Sequence, residues 1–213
     1  MKDLVIIGAS GFAKEVMWLA EDYNRTHHCW NILGFINNEP SEEVMGYPVV
    51  GDDDWLINRN TETDVLLGIG NVIVKKKLYE KYKENPYLTF PTIISNNAIV
   101  SDHVKFGIGC IVCAGTIITV DVTIGNFVTL NLGCTVGHDV VMDDFIQVNP
   151  CTNISGNVHI SDCCDIGTGV QIIQGKTLGY NCTIGAGAVV VKDIEENCTA
   201  VGIPAKPIKQ KGE

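Results

Sequence analysis

The chain has 213 residues, of which 46% are hydrophobic, and this is enough apolar material for the core of one large domain or two small ones. The net charge is −10, and residues 106–175 contain no Lys or Arg, which excludes a nucleic-acid-binding face on that segment. No run of about 18 apolar residues is present, which excludes a membrane-spanning helix.

Residues 1–90 are predicted to form a small α/β, Rossmann-like domain. The apolar run 4–7 is typical of a buried strand and is too short for a signal peptide, so we expect a cytoplasmic protein. Apolar residues with helical spacing follow between residues 16 and 23. Further strands are predicted at 32–36 and 64–69, and a basic helix is predicted at 75–83.

Candidate substrate-binding residues lie where these strands end. Alternating strands and helices imply a parallel sheet, which binds ligands beyond the carboxyl ends of its strands. The residues at those ends are Gly8, Ala9, Ser10, Gly11, Asn37, Asn38, Ile69 and Gly70. The turn from Gly8 to Gly11 precedes a helix whose N-terminus could receive a phosphate or a carboxylate. The alternative is a turn needed only for packing the helix on the strand.

From Ile94 to Val190, every sixth residue is aliphatic or a similar apolar residue. Neither a helix nor a simple strand has this period, whereas a coil that turns a corner every six residues requires it. Three hexads make one triangular coil, so seventeen hexads make between five and six coils, and residues three hexads apart stack on each other. We therefore expect an all-β parallel β-helix within a second domain, residues 91–213. The segment 202–207 breaks the pattern and should leave the coil.

The nine cysteines are an odd number, with no paired Cys-x-x-Cys sites, which argues against disulfides and zinc. Four of them lie two residues before a hexad residue, where other hexads carry small apolar residues or Thr, and are predicted to be core residues. These are Cys110, Cys134, Cys164 and Cys182.

The coil contains three histidines, so a metal site has to be considered. The two intervals between His103, His138 and His159 differ from each other, and neither is a whole number of three-hexad coils. The three side chains cannot stack in one column, and we expect no metal site.

His138 is the candidate catalytic residue, at a turn that is predicted to face outward. One coil above it is Gly156, which leaves room beside the imidazole, and Asp139 follows directly and could hold or polarise the ring. A histidine with an adjacent carboxylate suits general-base catalysis. The alternative is a solvated histidine at a corner of the coil.

Three segments carry a resemblance to a known family. They are the turn at 6–16, the segment 134–139 around His138, and the closing segments 191–194 and 201–206. Over essentially its whole length the chain resembles the bacterial sugar acyltransferases of the sialic-acid O-acetyltransferase and UDP-amino-sugar N-acetyltransferase type. Two departures stand out. Many members carry an acidic pair where this chain has Asn37 and Asn38, which leaves the nucleotide base open, and some have a CoA-contacting histidine at Gln147.

The resemblance implies a left-handed β-helix and a homotrimer with three acetyl-CoA sites, each between neighbouring coils, and no metal. His138 would deprotonate the acceptor, and Asp139 would support it as a base. The residues implied in acetyl-CoA binding are Asn131, Gln147, Gly156, Thr168, Ala186, Lys192 and Lys206.

The predicted function is acetyl transfer from acetyl-CoA to the amino group of a nucleotide-linked amino sugar, for a surface glycan. One alternative is O-acetylation of sialic acid or another hydroxyl acceptor. Another is a non-catalytic β-helix scaffold. No nucleic-acid or membrane partner is expected.

Overall fold

The computed structural model describes residues 1–39 and 42–211, which divide into two compact units. The first unit ends at Ile93, and the second begins at Ile94. The elements of the first unit are β1 Lys2–Ile7, α1 Gly11–His27, β2 Trp30–Ile36, β3 Glu43–Val44, β4 Tyr47–Gly51, α2 Asp53–Ile57, β5 Thr63–Leu67, α3 Val72–Tyr82 and β6 Leu88–Thr89.

The first unit is built on a six-stranded sheet in the order β3-β4-β2-β1-β5-β6, and all its neighbours are parallel except β3 and β4. Strands β1 and β5 are buried along most of their length, and α1 buries one face, which includes Val16, Leu19 and Ala20. The two predicted helices and the three predicted strands are present. Strands β3, β4 and β6 and helix α2 were not predicted, and α3 begins at Val72 rather than Lys75 because Asn71 caps its N-terminus.

The second unit is a left-handed parallel β-helix of two-residue strands, as expected. Its strands begin with β7 Ile93–Ile94 at the boundary, followed by β8 Ile99–Val100, β9 Lys105–Phe106, β10 Ile111–Val112, β11 Ile117–Ile118, β12 Thr123–Ile124, β13 Thr129–Leu130, β14 Thr135–Val136, β15 Val141–Met142, β16 Gln147–Val148, β17 Asn153–Ile154, β18 His159–Ile160, β19 Asp165–Ile166, β20 Gln171–Ile172, β21 Thr177–Leu178, β22 Thr183–Ile184 and β23 Val189–Val190.

The strands form three faces, because each strand pairs with the strand three further along the chain. The first face is the sheet that contains β13 and β16, the second face contains β14 and β17, and the third face contains β15 and β18. The pairing register is one coil, or three hexads, as in Ile117↔Thr135 and Thr135↔Asn153. We call the turns from the first to the second face the first corner, and those from the second to the third face the second corner.

The hexad residues fill the interior as predicted. All of them from Val112 to Val190 are buried, whereas Ile94, Val100 and Phe106 are only partly buried. These three belong to the first coil, which has a neighbouring coil on one side only.

The predicted core cysteines are buried, and Cys110, Cys134, Cys164 and Cys182 have no measurable exposure. Burial raises the pKa of the Cys134 thiol to about 11. All four of these cysteines also act as donors, and Cys182 donates to the carbonyl oxygen of Glu195 at 2.8 Å. Five Cys or Thr residues that lie two residues before a hexad residue donate to the carbonyl oxygen 15 residues further along the chain, at 2.9–3.3 Å. These donors are Cys110, Thr116, Cys134, Thr152 and Cys164. The position therefore favours small side chains that can also satisfy a buried carbonyl.

The coil ends with β24 Cys198–Val201, which pairs with β22, and β25 Lys206–Gln210, which folds back antiparallel to β24. The register is shorter than three hexads in this last pairing, where Thr183 lies opposite Thr199. The segment 202–207 leaves the parallel coil, as predicted. In the described part of the chain, no helix is both long and apolar enough to cross a membrane.

Candidate active site

The second corner positions His138 and Asp139 as a hydrogen-bonded pair. Strand β14 ends at Val136, and Gly137 leads into the turn, where Asp139 adopts a φ of 58°. His138 Nδ1 lies 2.7 Å from Asp139 Oδ2, and about half of each side chain is exposed, 54% and 60%. An ionised carboxylate can only accept, so Nδ1 carries the hydrogen, and in the neutral imidazole this leaves Nε2 with a free lone pair.

The imidazole of His138 rests on Gly156, one coil above it. The chains of the two coils are joined here by a hydrogen bond of 2.7 Å from Asn157 N to His138 O. A Cβ added to Gly156 would lie 2.5 Å from both Cε1 and Nε2 of His138. The predicted space beside the imidazole is therefore real, and the ring fills it.

His138 belongs to a column of second-corner residues spaced one coil apart, which we call the His138 column. It consists of Asp102, Val120, His138, Gly156, Gln174 and Lys192. Backbone hydrogen bonds link its levels, from Asp139 N to Val120 O at 3.2 Å and from Gly175 N to Gly156 O at 3.1 Å. Val120, His138, Gln174 and Lys192 are exposed, whereas Gly156 is buried.

Asn131, Thr168 and Ala186 lie at the first corner, on the opposite edge of the second face. Thr168 and Ala186 are exposed and stand one coil apart. Asn131 is 6% exposed, and its Oδ1 accepts from the backbone nitrogen of Leu132 at 2.7 Å. Within one chain these residues are therefore not grouped with His138.

The structure does not bring the remaining two predicted CoA-binding residues to either corner. Gln147 is 2% exposed on β16 of the first face, so its side chain offers a ligand almost no surface in this conformation. Lys206 is exposed at the start of β25, beyond the parallel coil. Their roles stay predictions.

A second histidine–carboxylate pair lies on the third face, where His159 Nε2 is 3.1 Å from Asp143 Oδ2. It has no glycine-lined recess and was not predicted as a site. Among residues 1–39 and 42–211, no group of three or more His, Cys, Asp or Glu side chains is arranged to hold a metal ion.

In the first unit, the predicted turn residues do lie together at one edge of the sheet. Gly8 N donates to Ile36 O at 2.9 Å, and a Cβ on Gly8 would lie 2.8 Å from Ile69 Cδ1. Gly8 has a φ of 101°, so both its conformation and its contacts favour glycine. The strand ends at β1, β2 and β5 therefore converge as the sequence predicted.

The N-terminus of α1, at this edge, is not capped by a side chain. Ser10 at the N-cap makes no side-chain hydrogen bond, and the first turn contains no acidic residue. In contrast, Asp52 and Asn71 accept from the first-turn nitrogens of α2 and α3. Free N–H groups and the helix dipole make the α1 terminus the one best suited to an anion among these three.

Asn38 is held by a network that sequence reasoning missed. Its Oδ1 accepts from Asp53 N at 3.1 Å, and the Asp53 carboxylate accepts from Lys81 Nζ and from the hydroxyl of Tyr82. Burial alone would raise the pKa of Asp53, but hydrogen bonds from Lys81 and Tyr82 outweigh it and hold that pKa below its usual value. The one feature of the sequence that could have indicated this network is the acidic run Asp52–Asp54.

The PglD N-terminal domain family matches residues 3–82. The acetyltransferase domain of PglB from Neisseria gonorrhoeae is 31% identical, with a TM-score of 0.92 over 98% of this chain and 100% of that chain. The chain belongs to the hexapeptide-repeat sugar acyltransferase family. It is therefore an acyltransferase, and the predicted enzyme class is confirmed.

Related structures of this family contain ligands. The PglB domain is known in complex with acetyl coenzyme A, at 32% identity and a TM-score of 0.91 over 97% of this chain and 99% of that chain. PerB from Caulobacter crescentus, in complex with CoA and GDP-perosamine, is 30% identical, with a TM-score of 0.90 over 98% of both chains. A comparison with curated protein sequences found no significant match.

Proposed function

We propose that the protein transfers the acetyl group of acetyl-CoA to the amino group of a nucleotide-linked amino sugar. The observation that carries the proposal is His138, hydrogen-bonded to Asp139 through Nδ1 and packed on Gly156. The ligands of the two related structures, acetyl-CoA in one and CoA with GDP-perosamine in the other, support both substrates.

His138 acts as the general base. Its Nε2 accepts the proton that the attacking amine loses as the nitrogen bonds to the thioester carbonyl carbon. The C–S bond then breaks, and the same proton passes from Nε2 to the leaving sulfur, so the products are an amide and a free thiol. Asp139 holds the ring in the required tautomer throughout.

The N–H of Gly156 is placed to stabilise the oxygen of the reacting carbonyl. It makes no hydrogen bond within the described residues, and it lies on the coil that the His138 ring contacts. A backbone donor of this kind is pre-oriented and needs no rearrangement as charge develops on the oxygen.

We further propose that the active protein is a homotrimer, in which the first corner of one subunit faces the second corner of the next. This would unite Asn131, Thr168 and Ala186 with His138 of a neighbour. The outward strand residues of the second face, which lies between the two corners, support this because none of them is charged. They are Ile99, Ile117, Thr135, Asn153, Gln171 and Val189.

The first unit is proposed to hold the nucleotide sugar. The uncapped α1 terminus would receive a phosphate through its backbone N–H groups, next to the Gly8 turn. Asn37 and Asn38 lie at the end of β2, on the same edge, where they would meet the base or the ribose. We place the reaction in the cytoplasm, the compartment that supplies acetyl-CoA and nucleotide sugars.

The test is acetyl-CoA turnover by the wild-type protein with UDP-, dTDP- and GDP-linked amino sugars, and with free sialic acid. We expect CoA release with at least one nucleotide amino sugar, and a product that resists hydroxylamine because it is an amide. Turnover of sialic acid alone, with a hydroxylamine-labile ester as product, would establish the O-acetylation alternative instead. No turnover with any acceptor would contradict the acceptor class.

A further inference from the structure

Three buried cysteines stand on consecutive levels inside the coil and take no part in the proposed mechanism. Cys164, Cys182 and Cys198 occupy the same inward position at the start of β19, β22 and β24, which are neighbours in the first face. All three are free thiols with at most 1% exposure. In the coil before Cys164 the same position is Ile146. We call the three thiols the cysteine column, and it is confined to the C-terminal end of the coil.

The upper two members of the cysteine column lie opposite each other on paired strands. Cys182 and Cys198 directly precede the in-register pair Thr183 and Thr199. Residues in register on adjacent strands have Cα atoms about 4.8 Å apart, inside the range of about 4.4–6.8 Å that a disulfide requires. The backbone geometry therefore permits a bond between Cys182 and Cys198.

The two thiols also share one hydrogen-bond acceptor. Cys182 and Cys198 both donate to the carbonyl oxygen of Glu195, at 2.8 and 3.2 Å. Cys164 donates instead to the carbonyl oxygen of Gly179, at 3.1 Å. The sulfurs of Cys182 and Cys198 therefore converge on one point between β22 and β24, whereas the sulfur of Cys164 is directed elsewhere.

The pair lies at the end of the coil, where local opening can admit a small molecule. Strand β24 is the last parallel strand of its sheet, and beyond it lies only the edge strand β25, whose five residues are all exposed. This end is held by Lys211, whose Nζ donates to the backbone and side-chain oxygens of Asn181 at 2.7 and 3.1 Å. Segments with few buried contacts open without global unfolding. Opening of β25 therefore uncovers β24 and its Cys198 before any deeper cysteine.

We infer that Cys182 and Cys198 form a redox-sensitive pair, which a small-molecule disulfide such as oxidised glutathione converts into a disulfide between β22 and β24. One cysteine attacks the small disulfide as its thiolate, which forms a mixed disulfide and releases one small thiolate. The other cysteine, as its thiolate, then attacks the protein sulfur of the mixed disulfide and releases the second small thiolate. The two cysteine protons pass to the released thiolates, so two protein thiols are oxidised and one small disulfide is reduced.

The consequence of this bond is a covalent lock on the last coil. It closes a loop of 15 residues, 183–197, and a cross-link of this kind restricts the unfolded chain. The inference is independent of the proposed acyl transfer, because neither cysteine belongs to the candidate active site.

The experiment treats the folded protein with glutathione buffers of increasing oxidised fraction and then alkylates the remaining free thiols. Peptide mapping by mass spectrometry identifies the linked cysteines, and thermal unfolding is followed with and without dithiothreitol. Cys198→Thr removes the pair, and Cys164→Thr is the matched control in the same column that keeps it. Threonine is chosen because Thr116 and Thr152 already occupy equivalent inward positions.

We expect linked peptides containing Cys182 and Cys198 in the wild type and in Cys164→Thr, but not in Cys198→Thr. Oxidation should raise the Tm of the first two proteins by about 6–12 °C, and dithiothreitol should abolish this shift. If Cys198→Thr does not fold, the peptide maps of the other two proteins decide. A link between Cys164 and Cys182, or no linked peptide in the folded wild type, would overturn the inference.

Discussion

The two units of this protein position their candidate site residues in different ways. In the coil, the strands pair one coil apart, and this single register places His138 on Gly156. In the first unit, residues far apart in sequence converge, as where Asn38 and Asp53 meet Lys81. The coil therefore holds its site by a repeated backbone ladder, whereas the first unit holds its site by a few specific side-chain contacts.

This difference predicts opposite sensitivities. A side chain added at Gly156 in the coil has no free space, because the ring of His138 already lies there. A side chain removed from the first unit breaks one contact but leaves the sheet in place. We expect the coil site to fail by steric displacement and the first unit to fail by loss of stability.

Among the substitutions that test this difference between the two units, Gly156→Val is expected to have the largest effect. The new Cβ would lie 2.5 Å from the His138 ring, so the ring must rotate away from its place. Displacement of a catalytic group by about 1 Å costs about 100-fold in rate, and we expect kcat to fall by at least that much with the fold intact. Steady-state kinetics, with circular dichroism to check the fold, measures both.

The control is the same substitution in a His138→Ala background. With no ring to displace, Gly156→Val should reduce the residual activity little further, and the two changes should not be additive. Additive losses would mean that Gly156 acts independently of His138.

A smaller effect is expected for Asp53→Asn in the first unit. Hydrogen bonds hold the pKa of Asp53 below its usual 3.8, so the ionised form stabilises the folded state. This stabilisation is fully present above pH 3.8 and is lost as the pH falls through the lower folded-state pKa. We expect Asp53→Asn to lower the free energy of unfolding by about 1 kcal/mol at pH 7, and we expect this loss to shrink only as the pH falls below 3.8, measured by urea unfolding.

Asp54→Asn is the matched control for Asp53. The carboxylate of Asp54 is exposed and makes no hydrogen bond among the described residues. The Asp54 variant should unfold like the wild type both at pH 7 and below pH 3.8. An equal loss in the two variants would show that the acidic run acts only through its general charge.

The smallest effect is expected for Cys134→Thr in the coil. Thr116 and Thr152 already occupy the same inward position and donate to the carbonyl 15 residues ahead, as Cys134 does. The change should cost less than Asp53→Asn does in thermal or urea unfolding, since core substitutions that nearly conserve volume are well tolerated. Cys134→Leu, which adds volume to a fully packed position, should cost clearly more.

The coil was predictable because its pattern is local and repeated. The hexad series located the strands and the core cysteines, and it also implied that Asn131 and His138 lie at different corners, since they follow different hexad residues.

The first unit was only partly predictable. Asn71 before Val72 and Asp52 before α2 are ordinary N-cap signals that would have found both helix starts. The contact of Asn38 with Asp53 depends on how β2 and β4 pair, which no local pattern reveals.

The most direct test of the central claim compares the two histidine–carboxylate pairs of the coil. His138→Ala should lower kcat for acetyl transfer by a factor on the order of 10²–10⁴, the usual contribution of a general base. His159→Ala removes the histidine of the second pair, which lies on the third face and has no described glycine against its ring. This control should change kcat by less than about twofold. Equal effects of the two substitutions, or full activity in His138→Ala, would contradict the assignment of His138 as the base.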